Sequence, residues 1–373
     1  MKIVLASGIY PPDAGGPATY THAMARAFLD SGHEVEIVCY SDVAKQNSDQ
    51  EMKVHRVARK LPVPIRYLRF CWQVYRALKK ADLVYIQGPV AAGLPATIAS
   101  LMAKKPRVMK VVGDYAWEVY QGARREAQGV EEPELLDEFV THPHAGKIRW
   151  LERIERWTAK KAHRVIVPSQ YLAQIVKTWG VSDEQVRVIE NAVHPFDLTP
   201  APSNQLRTLL TVVRAVPWKQ IDFIIKLLPR LPSDVQLIVA GDGPELGKWQ
   251  SLVQSLDLDG RVQLVGRLDR QQLSDWYARA DLFVLPSGYE GFAHVIPEAV
   301  SAGIPCFVSD RGGNPETKEL LGDRITVLPY LDEAAWLHAL QKPWPSKVQR
   351  PLPEVLTFPV MQQRTIDTLK EVL

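Results

Sequence analysis

The chain begins with a short apolar run, KIVLAS at 2–7, closed by the turn residues of YPPDAGG. A run this short, bounded by proline and glycine, predicts a buried strand rather than a helix. PATYTHAMARAFLD then carries apolar residues at helical spacing, stops at SGH, and gives way to the apolar run EVEIVCY at 34–40, so a βαβ unit is expected from residue 2. The rhythm continues, with strands expected in ADLVYIQGP and RVMKVVGDY and helices in IRYLRFCWQVYRALKK and GLPATIASLMAKK. A long polar, helical stretch from about 122 to 162 leads into another strand and helix in HRVIVPSQYLAQIVKTWG.

HPFDLTPAPSN, at 194–204, interrupts the alternation, because prolines and small polar residues carry neither helix nor strand through it. Beyond it strands are expected in LRTLLTVVRAV, VQLIVAGDGP, RVQLVGRLD, LFVLPS, PCFVSD and RITVLP, with helices near 219–230, 245–256 and 270–280. The pattern predicts an α/β protein of two successive doubly wound domains, 1–196 and 197–354. Ligands of such sheets lie beyond the carboxyl ends of the strands, which directs the search for chemistry to the following loops.

Composition excludes several classes. With 373 residues, 46% apolar and 23% charged, the chain has room for two cores and no disordered or repetitive character. Its apolar runs are broken by charges well before about 18 residues, and MKIVLASG is broken too soon for a signal peptide, so a cytoplasmic protein is expected. Cys39, Cys71 and Cys306 form no CxxC pair and read as buried thiols. A net charge of +3 does not call for nucleic acid. It does conceal a local excess, since residues 53–81 hold nine Lys or Arg and no acid. Ile65, Leu68, Trp72, Tyr75 and Leu78 recur there at helical spacing, an apolar face expected to pack on the first sheet, with Arg66, Arg69, Arg76 and Lys80 on another side. That basic side, within 53–80, is either solvated or meets an anionic membrane surface or a polyprenyl phosphate, which would add peripheral membrane attachment.

EGFAHVIPEAVSAGIP, at 290–305, follows the expected strand LFVLPS. Pro297 suits the first turn of a helix and Gly303 its end, which places Glu298 in the first turn and Glu290 in the preceding loop. Carboxylates in these positions accept hydrogen bonds from sugar hydroxyls while the amides between them face a phosphate; alternatively Glu298 only complements the helix dipole and Glu290 is solvated. In VVRAVPWKQ, Arg214 and Lys219 stand five apart just past a strand, where two cations suit a diphosphate. Gly15 and Gly16 in DAGGPATY allow backbone to approach a phosphate or sugar closely, or simply make a tight turn. GDGPELG at 241–247 reads as a turn. The DLD of 257–259 and the histidines of THPHAG, His142 and His144, have metal-ligand identity but read as turn and loop, so no metal is expected.

PPDAGGPATYTHAMARAFLDSGHEVEIV, VIVPSQYL, VIENAV, RAVPWK, VAGDGPE and ARADLFVLPSGYEGFAHVIPEAVSAGIPCFVSDRGGNPE occur in the order and spacing of one family. In them the chain resembles the retaining GT-B glycosyltransferases of family 4 over nearly its whole length. The resemblance implies two Rossmann-like domains facing an interdomain cleft, the second holding a nucleotide diphosphate sugar and the first an acceptor. By it, Arg214 and Lys219 bind the donor diphosphate, Glu290 meets the donor sugar at the catalytic centre, Glu298 holds the ribose, and Gly291, Phe292 and Ala293 form the loop at the sugar and phosphate. The Gly15–Gly16 loop is then expected to close on the diphosphate from the other side, and the terminal helix, within 355–373, to return to the first domain. Sugar transfer to a hydroxyl acceptor with retained configuration is implied, with the departing phosphate taking the acceptor proton and no metal or further cofactor.

Two positions depart from the family pattern. Where many members place a histidine after the fourth strand, this chain has Gly113 and Asp114, and Asp114 either takes over a catalytic contact or caps a turn. Val213 stands where a glycine is usual. Two other readings are a nucleotide-sugar epimerase of the same fold, disfavoured by the EGF context, and a non-catalytic sugar-nucleotide-binding protein, disfavoured by retention of both cations and both glutamates.

Overall fold

The computed structural model describes residues 1–13, 15–43, 52–128, 133–196, 198 and 206–373. Most of the proline-rich stretch, at 197 and 199–204, and with it the expected boundary at 196/197, lies outside the described residues. The chain divides into two compact units. The first comprises Met1–Gly122, Phe139–Glu190 and Pro359–Leu373, and the second Ala123–Glu138 and Asn191–Phe358.

Seven strands form the sheet of the first unit: β1 (Lys2–Ser7), β2 (Glu34–Tyr40), β3 (Lys53–Val57), β4 (Leu83–Gln87), β5 (Arg107–Lys110), β6 (Arg164–Val167) and β7 (Val186–Val188). All pair in parallel, in the order β3-β2-β1-β4-β5-β6-β7. The second unit has six parallel strands: β8 (Arg207–Val212), β9 (Val235–Ala240), β10 (Val262–Gly266), β11 (Leu282–Leu285), β12 (Cys306–Ser309) and β13 (Ile325–Leu328), in the order β10-β9-β8-β11-β12-β13. Central strands such as β9 and β11 are buried at every position. That is why they read as continuous apolar runs rather than alternating ones: helices cover both faces of a parallel sheet.

Chain order reverses between β1 and β4 in one sheet and between β8 and β11 in the other. At such a reversal the loops leaving the two central strands part to opposite faces and open a crevice. The helix Phe358–Lys370 is fixed to the first unit from Pro359 onward by Arg364, which pairs with Glu190 and donates to the Val188 carbonyl, and by Glu371, which pairs with Arg164 and Arg187 at 2.7 Å.

The helix Val63–Leu78 departs from the expected packing. Phe70, Val74, Ala77 and Leu78 are its buried residues, whereas Ile65, Leu68 and Trp72 point to solvent. The sequence holds two apolar stripes on opposite sides of this helix, and spacing alone does not rank them. The stripe that packs is compact and free of cations; the other is interleaved with Arg69 and Arg76, which would be desolvated with it. Strand β3 was also hidden, because its KVHRV lies inside the basic stretch and only Val57 of it is buried. Cys39 and Cys306 are buried as expected, while Cys71 is only half-buried.

Candidate active site

The reversal in the second unit is where the predicted donor-site residues gather. Arg214 and Lys219 lie in the loop after β8, and Glu290 in the loop after β11. The loops are joined twice. The Gly288 N–H donates to the Trp218 carbonyl at 2.8 Å, and Lys219 Nζ reaches Glu290 Oε1 at 2.5 Å. The side chains of this ion pair are only 15% and 10% exposed, so the charges compensate each other in a largely dry setting. Arg214 differs: it is exposed and has no ion pair among the described residues. Val213 and Ala215 on either side of it are buried and donate from their main-chain N–H groups to the carbonyls of Ala240 and Asp242, both at 2.9 Å. The GDG turn therefore acts as a backing for the Arg214 loop, and a Cβ on Gly241 would lie 1.7 Å from the Val213 carbonyl oxygen.

The loop carrying Glu290 is supported by a glycine pair that sequence reasoning passed over. Gly312, at φ +61°, leaves no space for a side chain: a Cβ there would sit 2.5 Å from the Glu290 carbonyl oxygen and 2.6 Å from its nitrogen. Gly313 donates to that same carbonyl at 2.7 Å. Ser309 Oγ donates to the Ser287 carbonyl at 2.5 Å and accepts from Asn314 Nδ2 at 3.0 Å, a second tie between the loops after β11 and β12. The GG of SDRGGNPE was the available signal.

Phe292 and Ala293 are buried in the core of the second unit, at 6% and 7% exposure, so their side chains do not face a ligand. What the loop offers is main chain: the N–H groups of Gly291, Phe292 and Ala293 donate no hydrogen bond among the described residues. The helix begins at Val295 and runs to Ser301, with Pro297 and Glu298 in its first turn and Gly303 beyond its end. Glu298 is not brought to the Lys219–Glu290 pair by any contact. Its Oε2 accepts from the Tyr277 hydroxyl at 3.1 Å. Burial pushes the Glu298 carboxyl up to about 7, against the Tyr277 hydrogen bond and the positive field of Arg270, which draw it down. Nothing in the sequence marks Tyr277 as its partner.

In the first unit Gly15 and Gly16 stand where expected, after β1 at the reversal, with Gly15 capping the helix Gly16–Asp30. Asp114 follows β5 and is 2% exposed. Its Oδ1 accepts from the Trp117 N–H at 2.8 Å, which makes it the cap of the helix Tyr115–Gln128. Beside it lies Glu155, 1% exposed, accepting from the Tyr115 and Ala116 N–H groups at 2.8 and 3.3 Å. The two buried carboxyls are hydrogen-bonded to each other; burial raises both, Asp114 to about 6, so the pair shares a proton. Of the two roles expected for Asp114, the capping role is the one these contacts display.

His142 and His144 line a recess of about 520 Å³ with Arg149, Arg153 and Arg156, where His144 meets Glu152 at 3.3 Å and stacks on Phe139. Among the described residues no three His, Cys, Asp or Glu side chains gather as metal ligands would. Asp257 of DLD takes a left-handed turn, φ 55°, just past the helix Leu246–Ser255.

Two parallel doubly wound units, each a Rossmann-like domain, form the GT-B fold of the glycosyltransferase structures that the chain resembles. The family models agree: "Glycosyltransferase Family 4" matches residues 14–195 and "Glycosyl transferases group 1" matches 200–342. The chain belongs to this group 1 and family 4 set of GT-B glycosyltransferases. Among curated proteins it is 30% identical over 192 residues to the phosphatidylinositol N-acetylglucosaminyltransferase GPI3 subunit of Saccharomyces cerevisiae, a match spanning 48% of this chain and 42% of that protein. It is 23% identical over 368 residues to an uncharacterized glycosyltransferase of Methanocaldococcus jannaschii, spanning 90% and 87%. Among solved structures, Anabaena HepE in complex with UDP and glucose superposes with a TM-score of 0.76 at 19% identity over the full length of both chains, a likeness of fold.

Proposed function

We propose that this glycosyltransferase moves a sugar from a nucleoside diphosphate sugar to a hydroxyl acceptor with retention of configuration and without a metal. The observation that carries the reading is the Lys219–Glu290 pair across the β8/β11 reversal, with Arg214 exposed in the same loop as Lys219 and without an ion pair among the described residues. Arg214 and Lys219 take the diphosphate, together with the N–H groups of Gly291, Phe292 and Ala293. Glu290 accepts from the donor sugar hydroxyls and Glu298 from the ribose. As the anomeric C–O bond breaks, the departing phosphate oxygen gains charge, takes the acceptor proton on the same face of the sugar, and the new C–O bond forms there. The cations stabilise that charge, and no second carboxylate is required as a base. A UDP complex of the HepE neighbour and a phosphatidylinositol acceptor in the yeast relative's name make a uridine donor and a lipid-borne hydroxyl the first pair to assay.

Transfer assays with Glu290→Gln and Glu298→Gln test the roles. Glu290→Gln is expected to lower kcat by about 10²-fold or more, the scale of a lost transition-state contact, while Glu298→Gln raises KM for the donor. Equal, small effects would remove both assignments. An inverted anomer in the product would remove retention, and an epimerised donor formed without acceptor would replace transfer altogether.

A further inference from the structure

We propose that the outer stripe of the helix Val63–Leu78 is a docking surface for a bilayer containing anionic lipid. At about 100° per residue, Ile65, Leu68, Arg69, Trp72 and Arg76 fall within roughly 100° of the helix circumference, opposite the buried residues Phe70, Val74 and Ala77. Leu68 is 71% exposed, Trp72 56% and Ile65 45%. A helix that buries one apolar stripe and presents a second to solvent has a surface the fold does not use. The helix Gly93–Ala103, which packs along it, adds Leu101 and Met102, also exposed.

The occupant follows from the charges. Of the nine cations in 53–81, five are engaged within the fold: Lys53 pairs with Glu36, Arg56 donates to the Pro11 carbonyl, Arg59 pairs with Asp13, Arg66 lies over the Tyr40 and Tyr67 rings, and Lys79 lies over the Tyr75 ring. Lys60, Arg69, Arg76 and Lys80 are exposed and have no ion pair among the described residues. Four such cations flanking an aliphatic and aromatic stripe fit a negatively charged headgroup layer above hydrocarbon. No described helix is long and apolar enough to cross a membrane, so contact would be by this face lying on the surface. This inference does not depend on the proposed reaction.

Sedimentation of the full chain with phosphatidylcholine vesicles, with and without phosphatidylglycerol, tests it. Binding is expected to phosphatidylglycerol vesicles, to weaken as salt rises, and to be absent with phosphatidylcholine alone. Leu68→Ser with Trp72→Ser is expected to lower the partition coefficient by about tenfold or more, the equivalent of one lost large apolar side chain, with unchanged thermal unfolding because both sites are exposed. Arg69→Gln with Arg76→Gln is expected to reduce its salt dependence. Failure of the wild-type chain to bind phosphatidylglycerol vesicles, or undiminished binding by Leu68→Ser with Trp72→Ser, would overturn the proposal. So would a wild-type dimer that this double substitution dissociates, which would make a second copy the occupant.

Discussion

Glu298 gives the sharpest test of the proposed donor site, because its ionisation falls within a convenient pH range. A carboxylate that grips two ribose hydroxyls must accept from both, so only the ionised form binds fully. Its burial beside Tyr277 places the midpoint at about 7. The ionised fraction is then about one eleventh at pH ~6 and ten elevenths at pH ~8, so donor Kd is expected to fall about tenfold between them, or about 1.4 kcal/mol. In the free protein the sign is opposite: a raised carboxyl holds a proton that the unfolded chain releases, so this group's contribution to stability declines as pH rises from the ordinary glutamate range through about 7. Affinity and stability should thus move in opposite directions over one interval. Calorimetric titration of nucleoside diphosphate at constant ionic strength reads the first and thermal unfolding the second. Glu298→Gln should weaken binding and flatten its pH dependence, and Tyr277→Phe, which removes a hydrogen bond to the carboxylate, should move the midpoint upward. A Kd for wild type that is flat between those pH values, or a slope that persists in Glu298→Gln, would refute the assignment of the ribose to this residue.

Two further substitutions probe supporting structure. Gly312→Ala places a methyl group against the Glu290 main chain, whereas Gly32→Ala, at the end of the helix Gly16–Asp30, meets nothing within 4 Å, at φ +76° against +61°. Left-handed strain should cost each about 1–2 kcal/mol in denaturant unfolding, with Gly312→Ala losing more because its methyl meets main chain, and only Gly312→Ala should weaken donor binding; equal donor affinity in the two would show that the glycine does not position the loop. Asp114→Asn keeps an acceptor for the Trp117 N–H and leaves one ionisable group where there were two. Because burial raises both carboxyls, wild-type stability contributed by the pair should decline as pH rises from about 4 through about 6 and beyond, and Asp114→Asn should flatten that decline in thermal unfolding scans. An unchanged slope would remove the shared-proton description.

What the sequence made legible was whatever rests on local physics. Strands β1, β2, β8, β9 and β11 were readable because burial on both faces demands uninterrupted apolar runs. The placement of Arg214, Lys219 and Glu290 was legible, because each follows an apolar run that forms a strand, and loops there are where a doubly wound sheet binds ligands. Their joining was not, since the β8/β11 adjacency is a property of strand order and 71 residues separate Lys219 from Glu290. Tyr277 is likewise set against Glu298 by packing of distant helices. The Asp114–Glu155 pair was half legible: a short polar residue before a helix signals a cap, but nothing local shows that a second carboxyl 41 positions on will share its proton. The outer stripe of Val63–Leu78 misled for a different reason, because periodicity identifies apolar faces without saying which one the core selects.

The compensated lysine explains how the proposed site can hold a donor without holding its product too firmly. Arg214, exposed and without an ion pair among the described residues, gives the proposed site one net cation of attraction for a diphosphate, since Glu290 cancels most of the field of Lys219. A stronger site with two free cations would bind donor and released nucleotide alike, which lowers KM but slows departure of product. Holding Lys219 in an ion pair also fixes its ammonium before substrate arrives, so no rearrangement is needed when negative charge grows on the leaving oxygen. Glu290 then has two tasks that a neutral residue of the same shape would separate: it orients the lysine and restrains nucleotide affinity by its charge. On this reasoning Glu290→Gln, while slow in transfer, keeps the nucleoside diphosphate more tightly than the wild-type chain does.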